Sequence, residues 1–308
     1  MSDVPAVRSQ PIKNLLRRML SENQYAFLAR LSHQLRGQPE SPLHAVEQVL
    51  RRYPLDDAEL LALKNSINIT RKMDYARHDI LLCIDSMTEY DTRLRSCEKE
   101  PDTVQWIEEF MRPGDVFYDV GANVGVYSLV AAKYFKGAVK IFAFEPAFLN
   151  FTQLCRNVYL NNCQQAIFPL SVALSNETGI GEFNYHDLVT GGSLHTLGAA
   201  LDHKGQPFTP VFVQKMLSYR LDDLIDEFKI ERPTHIKIDV DGIEKAVLEG
   251  GPNTLADSRF RSVIVELEAG QSQREITELL ASRNFRLHSE HTRWTPGMLN
   301  CIFVRQDR

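Results

Sequence analysis

Apolar positions along this chain of 308 residues follow two different rhythms, and the change of rhythm divides it. Between Ile12 and Leu35, Leu15, Leu16, Met19, Leu20, Phe27, Leu28, Leu31 and Leu35 recur at mostly helical spacing, with Lys13, Arg17, Arg18, Arg30 and Arg36 on polar positions. That is the pattern of an amphipathic helix with a basic face. Two more helices are predicted, from about Leu43 to Arg52 and from Asp56 or Asp57 to Asn65, the second opened by carboxylates shortly after Pro54. Composition changes around Ile67 to Arg77, so residues 1–75 read as a helical region and 76–308 as a second domain. In that domain strand-length apolar blocks alternate with helical ones. Ile80–Ile84, Val116–Val120, Val139–Phe144, Ala166–Leu170, His235–Asp239, Ser262–Leu267, Phe285–Glu290 and Asn300–Val304 read as strands. Thr103–Met111, Val126–Phe135, a stretch ending near Leu160, and Ser272–Arg283 read as helices. Gly179–Tyr185 and Val211–Ser218 read as edge strands around a long loop, Asp187–Pro210. The alternation predicts an α/β fold, a doubly wound seven-stranded and mostly parallel sheet with an N-terminal helical addition.

The most specific stretch is Val116 to Ser128, where an apolar strand ends in a carboxylate and breaks into a glycine turn that opens a helix. Such a turn brings backbone N–H groups to a ligand at a helix N-terminus. Gly121 and Gly125 are separated by Ala122, Asn123 and Val124, which is not the G-x-G-x-x-G spacing of a dinucleotide fold, and no Lys-Ser or Lys-Thr follows to make a P-loop. A turn with Asp119 aimed at it suits the cationic amino acid portion of S-adenosylmethionine better than a phosphate. Glu145 lies at the tip of the next strand, where an acid accepts hydrogen bonds from ribose hydroxyls; alone it fits S-adenosylmethionine or NAD equally.

The run Asp119 to Ser128, then Phe144-Glu-Pro146 with Asn150 and Leu154, then Ile236 to Glu244 and Leu248-Glu-Gly250, resembles the FkbM family of S-adenosylmethionine-dependent methyltransferases in order and spacing. The resemblance covers roughly residues 98–305. It implies a Rossmann-like class I methyltransferase that binds S-adenosylmethionine and methylates an oxygen, commonly a hydroxyl of a sugar, glycan or natural product. It also implies an adenine site at Ser171 to Ser175, which singles out Ser171 and Ala173 as cofactor-binding residues beside Asp119, Gly121, Asn123, Gly125, Glu145 and Asp239.

In a doubly wound sheet the strands carrying Asp119 and Asp239 lie side by side where chain order reverses, so both acids are expected at one crevice. Asp239, Asp241 and Glu244 crowd three acids into six residues. Glu244 suits a helix N-terminus, whereas Asp239 and Asp241 suit proton handling or a divalent cation. Two acids are too few ligands to establish a metal, and none is assigned. His195, after Gly191-Gly192-Ser193 in the long loop, is the remaining candidate, ahead of His186 and His203. Glu266 and Glu268 share one face of their strand, so one could line an acceptor pocket, and Trp294 could stack on a ring.

A net charge of −5 and a pI near 6.0 argue against a nucleic-acid-coating surface. Five scattered cysteines lack metal-ligand spacing and suit a reducing cytoplasm. No stretch has the length of a membrane span or the order of a signal peptide. A soluble enzyme with a small-molecule or glycan acceptor is expected, with a possible homodimer through the N-terminal helices. An NAD-dependent oxidoreductase and a catalytically silent S-adenosylmethionine-binding module are the alternatives.

Overall fold

The computed structural model describes residues 42–201, 205–293 and 295–306, and the chain separates into two compact units, up to Ile67 and from Asn68. The Ile12–Leu35 stretch, His203 and Trp294 lie outside the described residues. In the first unit the predicted helices are present as Pro42–Arg52 and Asp57–Ser66. The second starts where Asp56 caps it: Glu59 N–H donates to Asp56 Oδ1 at 2.8 Å while Glu59 accepts from Asp56 N–H at 3.1 Å.

The second unit opens with an antiparallel ribbon, β1 (Thr70–Lys72) and β2 (Leu81–Cys83). Then come β3 (Val116–Val120), β4 (Lys140–Phe144), β5 (Ile167–Leu170), β6 (Ala173–Ser175), β7 (Gly179–Tyr185), β8 (Thr196–Leu197), β9 (Phe212–Arg220), β10 (His235–Ile238), β11 (Ser262–Glu268), β12 (Phe285–Thr292) and β13 (Met298–Arg305). The central sheet has seven strands in the order β12-β13-β11-β10-β3-β4-β5, and β13 is antiparallel to both its neighbours. This is the doubly wound, Rossmann-like fold expected, and its chain order reverses between β3 and β10.

Covered on both faces, β3 buries Phe117, Tyr118 and Val120 completely or nearly so, which is why it reads as an apolar run broken only by Asp119. The helix Val126–Tyr134 is buried from Val126 to Ala132 and so shows no polar stripe. The helix Phe148–Leu160 grips the lead-in ribbon: Asn161 and Asn157 accept from the N–H groups of Leu81 and Cys83 at 3.0 and 2.8 Å.

One expectation fails in this region. Gly179–Tyr185 and Val211–Ser218 are not edge strands; β7 and β9 pair with each other as the inner strands of a separate four-stranded sheet, flanked by β8 and β6. The third strand ends at Leu170, and Ala173–Ser175 leaves to join that second sheet. No helix among the described residues is long and apolar enough to cross a membrane.

Candidate active site

The turn after β3 is built by packing. A Cβ on Gly121 would overlap the Asp239 carbonyl oxygen, and one on Gly125 would lie 2.5 Å from Leu154 Cδ1; both residues also have positive φ. The N–H groups of Gly121 and Ala122 donate to the Phe144 carbonyl at 3.0 Å each, so the turn closes on β4. Asn123, at φ 51, then donates its N–H to Glu145 at 2.7 Å, and Ala147 N–H donates to the other oxygen at 2.9 Å. Glu145 is thus fixed at the tip of β4 before any ligand arrives. Burial pushes its carboxyl up to about 7, against the pull of those two amides.

Below the crevice lies a charge network that the sequence reading did not anticipate. Lys237, buried in β10 opposite Asp119 in register, places its ammonium 2.9 Å from Asp239 and 4.0 Å from Asp119, over the Tyr127 ring. Burial opposes the Lys237 charge, but Asp239, Asp119 and Glu100 outweigh it and hold the ammonium above its usual range. Burial likewise opposes the Asp239 charge, yet Lys237, a hydrogen bond with Glu266 and Arg293 keep that carboxyl well below the usual carboxylate range. Glu266 responds in the opposite direction: burial and the Asp239 charge push it far up, against the pull of Arg293. Arg293 anchors both sides of the network, 2.6 Å from Glu266 and 2.7 Å from Glu100.

Asp119 does not line the crevice, contrary to expectation. It sits inside β3, where Ser128 donates to Oδ2 at 2.6 Å and Oδ1 is buried without a hydrogen-bond partner. Burial raises its pKa, opposed by Lys237 and Ser128.

The long loop forms a strap across the cradle. The Gly192 carbonyl accepts from the side chains of Asn123 at 2.8 Å and Asn150 at 3.1 Å; the Gly191 carbonyl accepts from Arg93 at 2.6 and 3.0 Å, and Gly191 N–H donates to Asn150 at 2.8 Å. Asp241, itself at φ 52, accepts from Leu194 N–H at 2.7 Å. Asp241 therefore tethers the strap. His195 follows in β7–β8 packing against Tyr185, and its Nδ1 accepts from His186 N–H at 3.2 Å. Burial keeps its pKa below the ordinary histidine value, so the neutral ring carries its proton on Nε2.

These elements enclose a cavity of about 190 Å³. Of the residues expected at a site, Gly121, Asn123, Glu145, Ala173, Asp239, Asp241 and His195 line it. Gly125 packs on Leu154 instead, and Ser171 is exposed because the chain turns outward before entering β6. Glu266 lines the cavity while Glu268, two residues on, is exposed at the strand end. Glu244 starts the helix Glu244–Glu249, accepts from Gly242 N–H at 2.8 Å, and is pushed up to about 7 by burial. Lys237 carried a legible signal: a lysine between Ile236 and Ile238 in a central strand must be buried, and a buried ammonium needs acids.

Residues 119–287, more than half of the chain, match the family described as the methyltransferase FkbM domain. The hexuronic acid methyltransferase AglP of Haloferax volcanii is 28% identical over 189 residues, which are 61% of this chain and 71% of that protein. The methyltransferase sdnD of Sordaria araneosa is 27% identical over 209 residues, 61% and 80% of the two chains. The 31-O-demethyl-FK506 methyltransferase FkbM of Streptomyces tacrolimicus is 29% identical over 202 residues, 58% and 76%. Every cavity-lining residue predicted from the sequence lies within the matched span.

Proposed function

We propose that this chain, which belongs to the FkbM methyltransferase family, moves the methyl group of S-adenosylmethionine to a hydroxyl oxygen of a sugar, glycan or natural-product acceptor. The observation that carries this reading is that Glu145, at the end of β4, and Asp239, just past β10, line one cavity across the strand-order reversal.

The cradle fits the cofactor. Glu145 has two of its lone-pair sites filled by amides and retains capacity for two hydroxyl donors. Ala173 and Leu174 give an apolar wall for a flat ring, and Gly121 leaves backbone open at the strand end. When bound there, S-adenosylmethionine supplies an electrophilic methyl group.

The chain's own residues then have two tasks, alignment and proton removal. Asp239 stays ionised because of Lys237, so it is always available to accept a hydrogen bond from the acceptor hydroxyl. It is a weak base for the same reason. Asp239 would take the proton of the acceptor hydroxyl late in the transfer, when that hydroxyl is most acidic. His195, with Nδ1 occupied, offers an N–H donor to orient the acceptor and is not the base. Asp241 acts through the strap.

Asp239 and Asp241 already spend one oxygen each on Lys237 and on Leu194 N–H, and two acids are too few ligands to establish a divalent ion. Among the described residues no group of three or more His, Cys, Asp and Glu is disposed to hold a metal. The name 31-O-demethyl-FK506 methyltransferase specifies oxygen as that relative's acceptor atom, which supports an oxygen acceptor, and hexuronic acid names a sugar, which supports a sugar acceptor. The five free thiols support a reducing, cytoplasmic setting. The test is transfer of isotope-labelled methyl from S-adenosylmethionine to a panel of hydroxyl acceptors, with the product's methyl position read by NMR. A methyl group found on nitrogen or carbon, or a chain that does not bind the cofactor, would sink this reading.

A further inference from the structure

Lys99 stands apart among the charged groups of the cavity wall. Its side chain is 25% exposed and its nearest acid, Glu100, is 3.8 Å away, beyond hydrogen-bond reach. Glu100 is already engaged, by Arg293 at 2.7 Å and by the Thr103 hydroxyl at 3.2 Å. The acids of the wall have donors of their own: Lys237 for Asp239, Arg293 for Glu266, amides for Glu145 and Asp241. Arg93, another cation of the wall, spends two N–H groups on the Gly191 carbonyl and lies close enough to Glu145 to oppose its upward shift. Lys99 and Arg293 therefore share one carboxylate, and an ammonium whose ion pair is long and shared, on a wall partly shielded from water, still attracts a further anion more strongly than it would in bulk solvent.

Its position separates it from the cofactor cradle. Glu100, Arg293 and Glu266 link Lys99 to β11, which lies beyond β10, whereas Glu145 ends β4 on the far side of β3. Lys99 also precedes residues 119–287, so it stands outside the matched family domain.

We propose that Lys99 anchors an anionic group, a carboxylate above all, on the methyl acceptor, which makes acidic sugars and acidic natural products the acceptor class; this rests on the methyl-transfer reading above. The test uses calorimetry on the full chain loaded with S-adenosylhomocysteine and titrated with D-glucuronate or D-glucose. Glucuronate is expected to bind about tenfold more tightly or better, with the gap narrowing at high salt. Lys99→Met should close the gap and Lys99→Glu should invert it, while affinity for S-adenosylhomocysteine stays within about twofold. Equal binding of the two sugars, or binding of neither, overturns the proposal. So does a Lys99→Met chain that loses S-adenosylhomocysteine affinity with the sugar gap intact, which would give the cation to the cofactor's own carboxylate. A chain that binds no S-adenosylhomocysteine defeats the methyl-transfer reading and this proposal together.

Discussion

Asp239 and Lys237 set each other's charge, and removing either exposes the other. Asp239→Asn keeps the shape of the side chain but takes away the proton acceptor, so turnover should fall by about two to four powers of ten with cofactor affinity changed much less; single-turnover kinetics beside calorimetry separate the two. Lys237→Met leaves the buried Asp119 and the partly exposed Asp239 without their nearest cation and should destabilise the fold by about 3 kcal/mol in chemical denaturation. Adding Asp239→Asn to that variant should recover part of the loss, because the uncompensated charge goes with it; strict additivity would mean that the pair does not interact. Glu145 gives a pH signature. Its pKa of about 7 belongs to the free site, and ribose hydroxyls donate to the ionised form, so binding lowers that pKa and affinity should rise with pH up to about 7 and level off above it. Glu244 titrates in the same range. The comparison that decides is therefore Glu145→Gln, expected to bind more weakly and to lose most of the slope. Asp239, Glu145 and Gly121 could be found from sequence because each sits at a strand end fixed by local pattern. Asp119 could not be placed as accurately, since only the side-chain direction in β3 decides between cavity and interior.

The central strands of the main sheet were legible because each is a short, mostly apolar block closed by turn residues, and the single charged residues inside them, Asp119, Lys237 and Glu266, do not break the pattern. β6 was not, for a physical reason: three residues, Ala173–Ser175, acquire their partners from Ser218–Arg220, and no local pattern records a pairing over that distance. The strap shows the same limit. Its glycines and length suggested a lid, but the side chains that hold it, Arg93, Asn123, Asn150 and Asp241, come from four separate places in the chain. Asn150 matters most, since it both accepts from Gly191 N–H and donates to the Gly192 carbonyl. Asn150→Ala leaves a buried donor unsatisfied at a cost of about 1–3 kcal/mol, so amide hydrogen exchange across residues 187–197 should speed up roughly tenfold or more, while exchange in β3 and β4 should not change. Unaltered exchange in the strap would mean that Arg93 and Asp241 suffice to hold it.

At the scale of the molecule, the matched family domain is shorter than the unit that folds. The family match begins at Asp119, yet Trp106, Ile107 and Met111, from the helix Pro101–Phe110 and its exit, are completely buried, and Trp106 donates to Ser262 Oγ of β11 at 2.9 Å. Ile80 and Leu82 belong to the same core as Leu129 and Ile141. Residues from Asn68 onward should therefore behave as one cooperative body, and a truncation at Asp119 should fail to fold because it strips one side of the sheet. A chain beginning at Asn68 is a different matter. Its unit carries every cavity-lining residue, so it should bind S-adenosylmethionine with the affinity of the full chain, measured by calorimetry, and melt in one transition. If the N-terminal helices serve as a docking element between copies, light scattering should report a smaller particle for the truncated chain at equal concentration. If their basic face meets an anionic membrane instead, vesicles containing phosphatidylserine should retain the full chain and release the truncated one. Loss of cofactor affinity in the truncated chain would contradict the separation into two units and assign residues before Asn68 to the binding site itself.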